Sequence, residues 1–397
     1  MTEAGPGAER GLDRALTLGP LILYGLGIIV GAGVYVALSA VMRRAGEAAP
    51  LSFLLAGVSA ALTGLCYAEL AARFPEASGA AAFVRHGFRS DLVSGAVALA
   101  ITAATGVAAA SIAHGAAMYL RPFEALDPTL VTALVIAVNT AIAIYGVKAS
   151  VGLAAAIGAL EIVGLLAVIV AGLHLAPDYG MEQVFPAKIA GWLGVFAGAF
   201  TAFFAFIGFE TLVNLAEEVK DPTRTVPRGV IGAIAASTAL YVMVALAVVL
   251  SDKAGANPLL GLFQGRVALT FATVGFVSIA NGVLVEILML SRLFYGMARA
   301  GRLPRALGRI NGVTRTPVIA TLAAGAIILA VALLAPFERL LAAANALTLS
   351  IFLVVDAALL LVKRRADAPT PAFCAPGWVP PAAILATLAL LLAGAAG

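Results

Sequence analysis

Three glutamates stand inside long apolar stretches of the chain, where a carboxyl group could hold a proton or a cation. They are Glu161, Glu210 and Glu286. An ionised carboxylate in the hydrocarbon core of a bilayer costs about 3 kcal/mol or more, so such a group is usually protonated, paired or next to a water-filled cavity. We therefore name all three as candidates for proton coupling or gating. For Glu161, a neutral side chain that serves only as a structural hydrogen bonder is the alternative.

Two other carboxyls in apolar surroundings have charged neighbours along the chain. Glu69 precedes Arg73 by one helical turn, which is typical of an interfacial ion pair that contributes little to stability. Asp356 lies within two turns of Lys363, and we interpret it as a structural residue that reaches the membrane interface. Neither is counted among the candidate residues.

Two glycine-containing stretches could expose backbone groups to a ligand. The first is Gly31-Ala32-Gly33, inside the first apolar run, and the second is Ile207-Gly208, just before Glu210. Glycine permits non-helical backbone, so a helix can be interrupted at each stretch. Amides and carbonyls freed in this way survive at membrane depth only where they line a cavity, and a polar ligand is their natural partner. The alternative for the first stretch is close helix packing, because Gly27 and Gly31 form a small-xxx-small pair.

The composition excludes a water-soluble globular protein. Hydrophobic residues make up 62% of the chain and charged residues 12%, with a mean hydropathy of +1.04, whereas average soluble domains carry about 25% charged residues. Apolar windows long enough to cross a bilayer predict an all-α membrane protein with about 11 transmembrane helices. The predicted spans are 18–42, 50–72, 91–120, 128–147, 151–176, 192–216, 229–251, 266–298, 317–335, 339–362 and 378–396.

The basic residues indicate an orientation and argue against nucleic-acid binding. With a cytoplasmic N-terminus, only seven of the 25 Lys and Arg residues face the other side, in agreement with the positive-inside rule. The net charge of +4 then reflects membrane topology rather than a nucleic-acid footprint. The two cysteines and three histidines are spread over separate segments, so we expect neither a metal site nor a catalytic cluster.

The spans divide into two halves of five. The predicted order is a cytoplasmic tail (1–17), a first five-helix repeat (18–176), an external loop (177–191), a second five-helix repeat (192–362), and a connector with an eleventh helix (363–397). Because five is odd, the second half enters the bilayer from the opposite side, as in an inverted repeat. Each half opens with its own interruptible helix, and paired breaks of this kind indicate a binding site at the membrane midplane.

Motifs distributed over most of residues 15–320 closely resemble the amino acid/polyamine/organocation superfamily of transporters, of the bacterial amino acid permease type. They are Gly27-Ile28-Ile29-Val30-Gly31-Ala32-Gly33-Val34, Tyr67-Ala68-Glu69-Leu70, Phe204-Ala205-Phe206-Ile207-Gly208-Phe209-Glu210, Glu217-Glu218-Val219-Lys220-Asp221-Pro222 and Ser291-Arg292 with Tyr295-Gly296-Met297-Ala298-Arg299. The resemblance implies a five-plus-five inverted repeat of the leucine-transporter type, with helices 1 and 6 discontinuous. It also implies a secondary active transporter, not an enzyme, that moves amino acids by alternating access.

The resemblance assigns a role to each broken segment. Backbone amides of Gly31, Ala32 and Gly33 would bind the substrate carboxylate at a helix N-terminus. The substrate ammonium would bind carbonyls of the second break, which are those of Phe204, Ala205 and Ile207, with Gly208 at the interruption. Phe204 would also cover the site as an aromatic gate, and Glu210 matches the family's acidic residue below it. Apolar contacts from Ile29, Phe204 and Ile207 would favour neutral substrates slightly.

Three departures from the family pattern affect the expected coupling and topology. Many members have a lysine in the fifth span where this chain has Glu161, and some have a carboxylate in the third span where residues 100–102 have none. Relatives commonly have twelve spans, and the missing one lies outside the ten-helix core. We expect proton coupling through Glu161 or Glu210, with sodium symport or amino acid/polyamine exchange as alternatives. No cofactor is expected; the partners are an amino acid and the lipid bilayer of an inner or plasma membrane, and the oligomeric state stays open.

Overall fold

The computed structural model of this chain is a bundle of α-helices. It describes residues 16–74, 79–120, 127–145, 151–176, 184–185, 189–215, 219–251 and 257–396. The predicted tail 1–17 and external loop 177–191 lie mostly outside these ranges. The helices of the described part are α1 (Leu18–Ala45), α2 (Ala49–Arg73), α3 (Gly79–Phe88), α4 (Asp91–Leu120), α5 (Pro128–Tyr145), α6 (Val151–Leu175), α7 (Ile189–Ala202), α8 (Pro222–Leu250), α9 (Pro258–Gly261), α10 (Gly265–Arg299), α11 (Val318–Leu334), α12 (Phe337–Lys363) and α13 (Val379–Ala396).

The apolar helices account for the eleven predicted spans. Within the described ranges, 9 helical stretches are long and apolar enough to cross a membrane, and the first of them, Leu18–Arg73, contains both α1 and α2. The shorter α11 adds one more crossing of 17 residues. Their many outward-facing Leu, Val and Ile side chains are suited to lipid. The prediction of an all-α membrane protein is confirmed.

Helix packing follows the pattern that an inverted repeat requires. The first four membrane spans of one half pack against their counterparts in the other half. The pairs are α1 with α7, α2 with α8, α4 with α10 and α5 with α11. Cross-contacts are also exchanged between the halves, because α1 packs against α8 as α7 packs against α2, and α4 packs against α12 as α10 packs against α6. A two-fold relation between the halves produces both sets of contacts together.

The end of α2 corrects the sequence interpretation of Glu69. Its side chain is fully buried rather than interfacial, and it binds Arg73 at 2.7 Å and the Nζ of Lys363 at 2.7 Å. The backbone amide of Ala375 also donates to Glu69 at 2.8 Å. The spacing of Glu69 and Arg73 revealed only one of these partners, because Lys363 ends α12 and Ala375 lies in the connector after it, both far away in sequence.

The short helix α3 is locked onto α12 at the same end of the bundle. A Cβ atom added to Gly87 would lie 2.6 Å from the Cα of Ala358, so the two backbones are in direct contact. The guanidinium of Arg365 donates to the carbonyls of His86 and Gly87 at the end of α3. We call the end of the bundle that carries Glu69, Arg73 and Lys363 the N side, because α1 also begins there.

A second correction concerns the segment before the seventh span. The predicted seventh span begins at residue 229, but α8 begins at Pro222 and contains Pro227. Pro222 fits the first helical turn, where its missing N–H costs no hydrogen bond, whereas Pro227 lies inside the helix and has no amide to donate. Asp221 precedes the helix with a φ of 49°, and its carbonyl accepts the amide of Thr225 at 2.9 Å.

Candidate functional site

The first span is interrupted where the sequence predicted. Within α1, Gly31 has φ −25° and ψ −148°, which breaks the helix into two parts. A Cβ atom added to Gly31 would meet no atom within 4 Å, so open space adjoins the break. Gly27 also has open space at its Cβ position, and its Cα would lie 3.7 Å from a Cβ added to Gly158 of α6, an ordinary packing distance. Neither Gly27 nor Gly31 therefore shows the close helix approach of the packing alternative.

The sixth span is also broken where predicted. Helix α7 ends at Ala202 and is followed by a 3-10 turn, Phe203–Phe206. Ile207 is extended with ψ 134°, and Gly208 has φ +120°, a conformation that residues with a side chain rarely adopt. A second 3-10 segment, Phe209–Leu215, continues the span. The paired interruption of spans one and six is thus present in the structure.

The two breaks lie directly against each other. An added Cβ on Gly33 would lie 2.8 Å from the Cα of Ala205, and one on Gly208 would lie 2.7 Å from the Cγ2 of Ile28. Each break thus presents a glycine to the main chain or side chain of the other. The two unwound segments can approach this closely only because Gly33 and Gly208 have no side chains.

A buried tyrosine on α8 joins the two segments. The Tyr241 hydroxyl lies 2.7 Å from the carbonyl oxygen of Ile29 and 3.0 Å from that of Ala205. A phenol has one proton to donate, so the two carbonyls share a single donor. No sequence motif pointed to Tyr241. The available signal was a single polar-tipped aromatic in the middle of an apolar span, which usually finds a hydrogen-bond partner when buried.

The predicted substrate-binding residues come together at this junction. Ile29, Ala32, Phe204 and Ala205 are buried, and Gly31, Gly33, Ile207 and Gly208 are half-buried. Ala32 has a packing contact as well, because an added Cβ on Gly282 of α10 would lie 2.9 Å from its methyl group. The Phe204 carbonyl accepts the amide of Ile207 at 3.4 Å. Of the three carbonyls expected to receive an ammonium group, those of Phe204 and Ala205 therefore already accept a bond.

Glu210 caps the second break. Its Oε2 accepts a hydrogen bond from the backbone amide of Gly208 at 2.8 Å. A carboxylate on a free amide at the start of a helical segment is favoured by the helix dipole as well as by the hydrogen bond. Glu286 on α10 is half-buried and lies close enough to Glu210 to interact with it electrostatically. The structure thus brings two of the three predicted carboxyls into one neighbourhood.

Glu161 lies on α6, beside the same junction. The residue is 3% exposed, its carboxyl faces Ser278 of α10, and its carbonyl oxygen accepts the Tyr35 hydroxyl at 2.9 Å. Tyr241 is also within electrostatic range of this carboxyl. A buried carboxyl so close to the unwound segments could bind a proton or a cation where substrate binding would be sensitive to it.

A small cavity lies at the end of the bundle opposite the N side. It has a volume of about 110 Å³ and is lined by residues that include Arg43, Arg44, Glu338 and Asn345. Arg43 and Glu338 form an exposed ion pair at 3.1 Å across its edge. Within the described ranges, no group of three or more His, Cys, Asp or Glu residues is placed to hold a metal ion.

Comparison with known proteins identifies the family. The family model described as amino acid permease matches residues 17–397. The chain belongs to this amino acid permease family. The permease is 30% identical over 385 residues to cationic amino acid transporter 2, vacuolar, of Arabidopsis thaliana, covering 89% of this chain and 60% of the relative.

Two bacterial relatives are matched over more of their own length. The methylthioribose transporter of Bacillus subtilis is 28% identical, over 90% of this permease and 83% of the relative. The branched-chain amino acid permease of the same organism is 26% identical, over 98% of this permease and 90% of the relative. The chain spans about three-fifths of the length of the plant relatives it matches. The names of these relatives span cationic and branched-chain amino acids and a thiosugar, so they do not fix one substrate class.

Proposed function

We propose that this permease is a secondary active transporter that moves amino acids across the membrane by alternating access. The observation that carries the proposal is the contact between the two broken spans at Gly33 and Ala205, with open space beside Gly31. Unwound backbone at this depth offers amides to a carboxylate and carbonyls to an ammonium group. Those two groups are common to all amino acids, so the main chain would recognise the part that substrates share.

Side-chain selection would come from the apolar residues around the junction. Ile29 and Phe204 are almost fully buried and Ile207 is half-buried, which favours a neutral, apolar amino acid such as leucine. A second candidate is a cationic amino acid, because Glu210 and Glu286 place two carboxyls near the second break. The name of the plant relative agrees with this candidate, and that of the bacterial branched-chain permease agrees with the first.

We propose a proton as the coupling ion, carried by Glu161 or Glu210. Support comes from the position of both carboxyls beside the unwound segments, where protonation would change the charge next to the substrate. A sodium symporter or an amino acid exchanger on the same fold are the alternatives. The distribution of basic residues supports a cytoplasmic N side for a protein of an inner or plasma membrane.

Uptake by purified protein in proteoliposomes tests this function. The vesicles receive labelled leucine, lysine or arginine under an imposed pH gradient, an imposed sodium gradient, or neither. We expect accumulation of leucine with a pH gradient, and loss of that accumulation in Glu161→Gln if Glu161 carries the proton. Accumulation only with a sodium gradient would mean that sodium, not a proton, is the coupling ion. Proton coupling that is retained in Glu161→Gln would mean that Glu210 carries the proton instead. Failure to bind or move any amino acid would contradict the proposal as a whole.

A further inference from the structure

Asp356 of α12 is a fully buried carboxyl without a cation. The residue has 0% exposure. Its Oδ2 accepts the Thr63 hydroxyl of α2 at 3.0 Å, and its Oδ1 is buried with no hydrogen-bond partner. The sequence interpretation, in which Asp356 reaches the interface near Lys363, is therefore wrong. The amine of Lys363 lies against Glu69 and the carbonyl of Ala375 instead.

The elements packed against Asp356 offer it no compensating charge within the described ranges. Cys66 and Tyr67 of α2 are the titratable side chains nearest to it. On α3, Arg85 lies 3.9 Å from Asp91 of α4, and the ring of His86 stacks on Phe74 at 4.0 Å. The other titratable side chains of α4 have partners elsewhere: His114 contacts the carbonyl of Ala332 at 2.8 Å, and the Tyr119 hydroxyl donates to the carbonyl of Tyr35 at 3.1 Å. Neither α7 nor α13 contains a charged residue.

A carboxylate in this position would be costly, whereas a neutral acid would fit. An ionised group in an apolar interior needs a counter-ion or several strong donors. Among the described residues, Asp356 faces only the neutral hydroxyl of Thr63 and the thiol of Cys66, which is a weak donor. The neutral form carries a proton on one oxygen and can accept from Thr63 with the other. The buried surroundings therefore stabilise a proton on Asp356 in this conformation.

The position of Asp356 links the second break to the N side. Phe352, one turn earlier on α12, packs its ring 5.2 Å from that of Phe209, the residue before Glu210. The ring centre of Tyr67 lies 5.5 Å from that of Phe352 and 6.0 Å from that of Phe209. On the other side, Lys363 and Glu69 lie two turns further along. Asp356 thus lies between the capped break and the charged cluster at the N side.

We propose that Asp356 is a second proton-binding residue of the transport cycle, protonated in this conformation and deprotonated when the N side opens. The proposal rests on the proposed function, because it assigns a step within proton-coupled transport. Opening the N side would admit water to α2 and α12, and water would stabilise the carboxylate. The proton would pass to that water. After the empty carrier has returned, the same carboxyl would take up a proton from the opposite side of the membrane, so that one proton crosses in each cycle.

Infrared spectroscopy of the purified protein tests the proton directly. The protein at neutral pH should show a C=O stretching band of a protonated carboxyl group that is absent in Asp356→Asn. Thr63→Val is the matched variant, because it removes the hydrogen-bond donor and keeps the carboxyl. We expect its band to persist at a shifted frequency. If Asp356→Asn keeps the same protonated-carboxyl band as the wild type, the assignment is overturned. If Asp356→Asn does not fold, Thr63→Val decides instead, and an unshifted band in that variant would overturn the assignment.

Transport assays then separate a coupling role from a structural one. Asparagine resembles the neutral acid, so a structural role would leave uptake intact. A one-unit pH gradient drives about tenfold accumulation per coupled proton. In Asp356→Asn we expect the accumulation ratio to fall about tenfold below that of the wild type, because one coupled proton is lost, while exchange of labelled for unlabelled substrate continues. Accumulation with wild-type pH dependence in Asp356→Asn would contradict the proposal. If the wild type itself accumulates substrate only with sodium, the proposed coupling fails, and the infrared result still decides whether Asp356 holds a proton.

Discussion

The backbone amide of Gly208 donates a hydrogen bond to the carboxylate of Glu210, two residues later, at 2.8 Å. The same glycine has a φ of +120°, and its carbonyl accepts the amide and the hydroxyl of Thr211 at 3.0 Å and 2.7 Å. The break in the sixth span is therefore stabilised by its own next few residues. A local capping arrangement of this kind can persist when neighbouring helices move, because it does not depend on them.

Glu210→Ala should destabilise this cap. A hydrogen bond to a charged group contributes about 1.5 to 3 kcal/mol, and its loss leaves the Gly208 amide without its acceptor. We expect a lower unfolding temperature in detergent and a loss of uptake. Glu210→Gln keeps an acceptor oxygen, so it should retain most of the stability. If both variants lower the unfolding temperature equally, the charge rather than the hydrogen bond is the stabilising feature.

An added methyl group should affect substrate binding at Gly31 but protein stability at Gly33. In Gly31→Ala it enters open space beside the break, so we expect a normally folded protein with an altered KM for the substrate. In Gly33→Ala it meets the backbone of Ala205 at 2.8 Å and must push the two broken spans apart. We expect that variant to lose uptake and to unfold at a lower temperature, by roughly 1 to 3 kcal/mol of overpacking strain.

Gly27→Ala is the control for this pair of glycine variants. It adds a methyl group in the same helix, again with no atom within 4 Å, but one turn before the break. Its KM and unfolding temperature should both stay near those of the wild type. A change in KM in Gly27→Ala as large as that in Gly31→Ala would argue against a substrate site beside Gly31.

Tyr241→Phe should loosen the junction without creating a cavity. The variant removes the donor shared by the carbonyls of Ile29 and Ala205, at a cost of about 1 kcal/mol in stability. We expect a higher KM, because Ala205, whose carbonyl is proposed to receive the substrate ammonium, is held less firmly. Tyr119→Phe is the matched control. Tyr119→Phe removes a hydrogen bond of 3.1 Å from the phenol to the carbonyl of Tyr35. Tyr35 lies on α1, like Ile29, but away from the break, so KM should stay unchanged.

Removing Glu69 should cost far more than removing an exposed ion pair. Glu69→Gln leaves Arg73 and Lys363 without a buried counter-ion, and breaking a buried pair typically costs about 3 to 5 kcal/mol. The exposed pair of Arg43 and Glu338 should contribute less than about 1 kcal/mol. Thermal unfolding of Glu69→Gln and Glu338→Gln side by side gives the comparison. Similar unfolding temperatures would show that the buried cluster is not important for stability.

The sequence was informative wherever local chemistry decided the structure. The apolar runs predicted eleven spans, and Gly31 and Gly208 predicted the two interruptions, because the lack of a side chain is a property of the residue itself. Glu210 could be placed at the start of a helical segment for the same reason. Residues 217 and 218 of the motif after this span lie outside the described ranges.

Side-chain partners that are distant in sequence could not be predicted. Lys363 is two turns from Asp356 and 294 positions from Glu69, yet it binds Glu69 because the packing of α12 against α2 directs it there. Tyr241 offered no pattern that names Ile29 and Ala205 as its acceptors. The coupling ion is a third case, since it depends on which groups surround Glu161 in every conformation of the cycle.

The contact between Gly87 and Ala358 restricts how the N side can move. With the backbone of α3 pressed against α12 and its last carbonyls held by Arg365, the amphipathic helix is part of a rigid corner and has no freedom to swing as a flap. In the proposed transport cycle, a route from the membrane midplane to the N side would have to be opened by the broken spans tilting past this corner. A spectroscopic distance measurement between labels on α3 and α12 should therefore give one constant distance throughout the transport cycle.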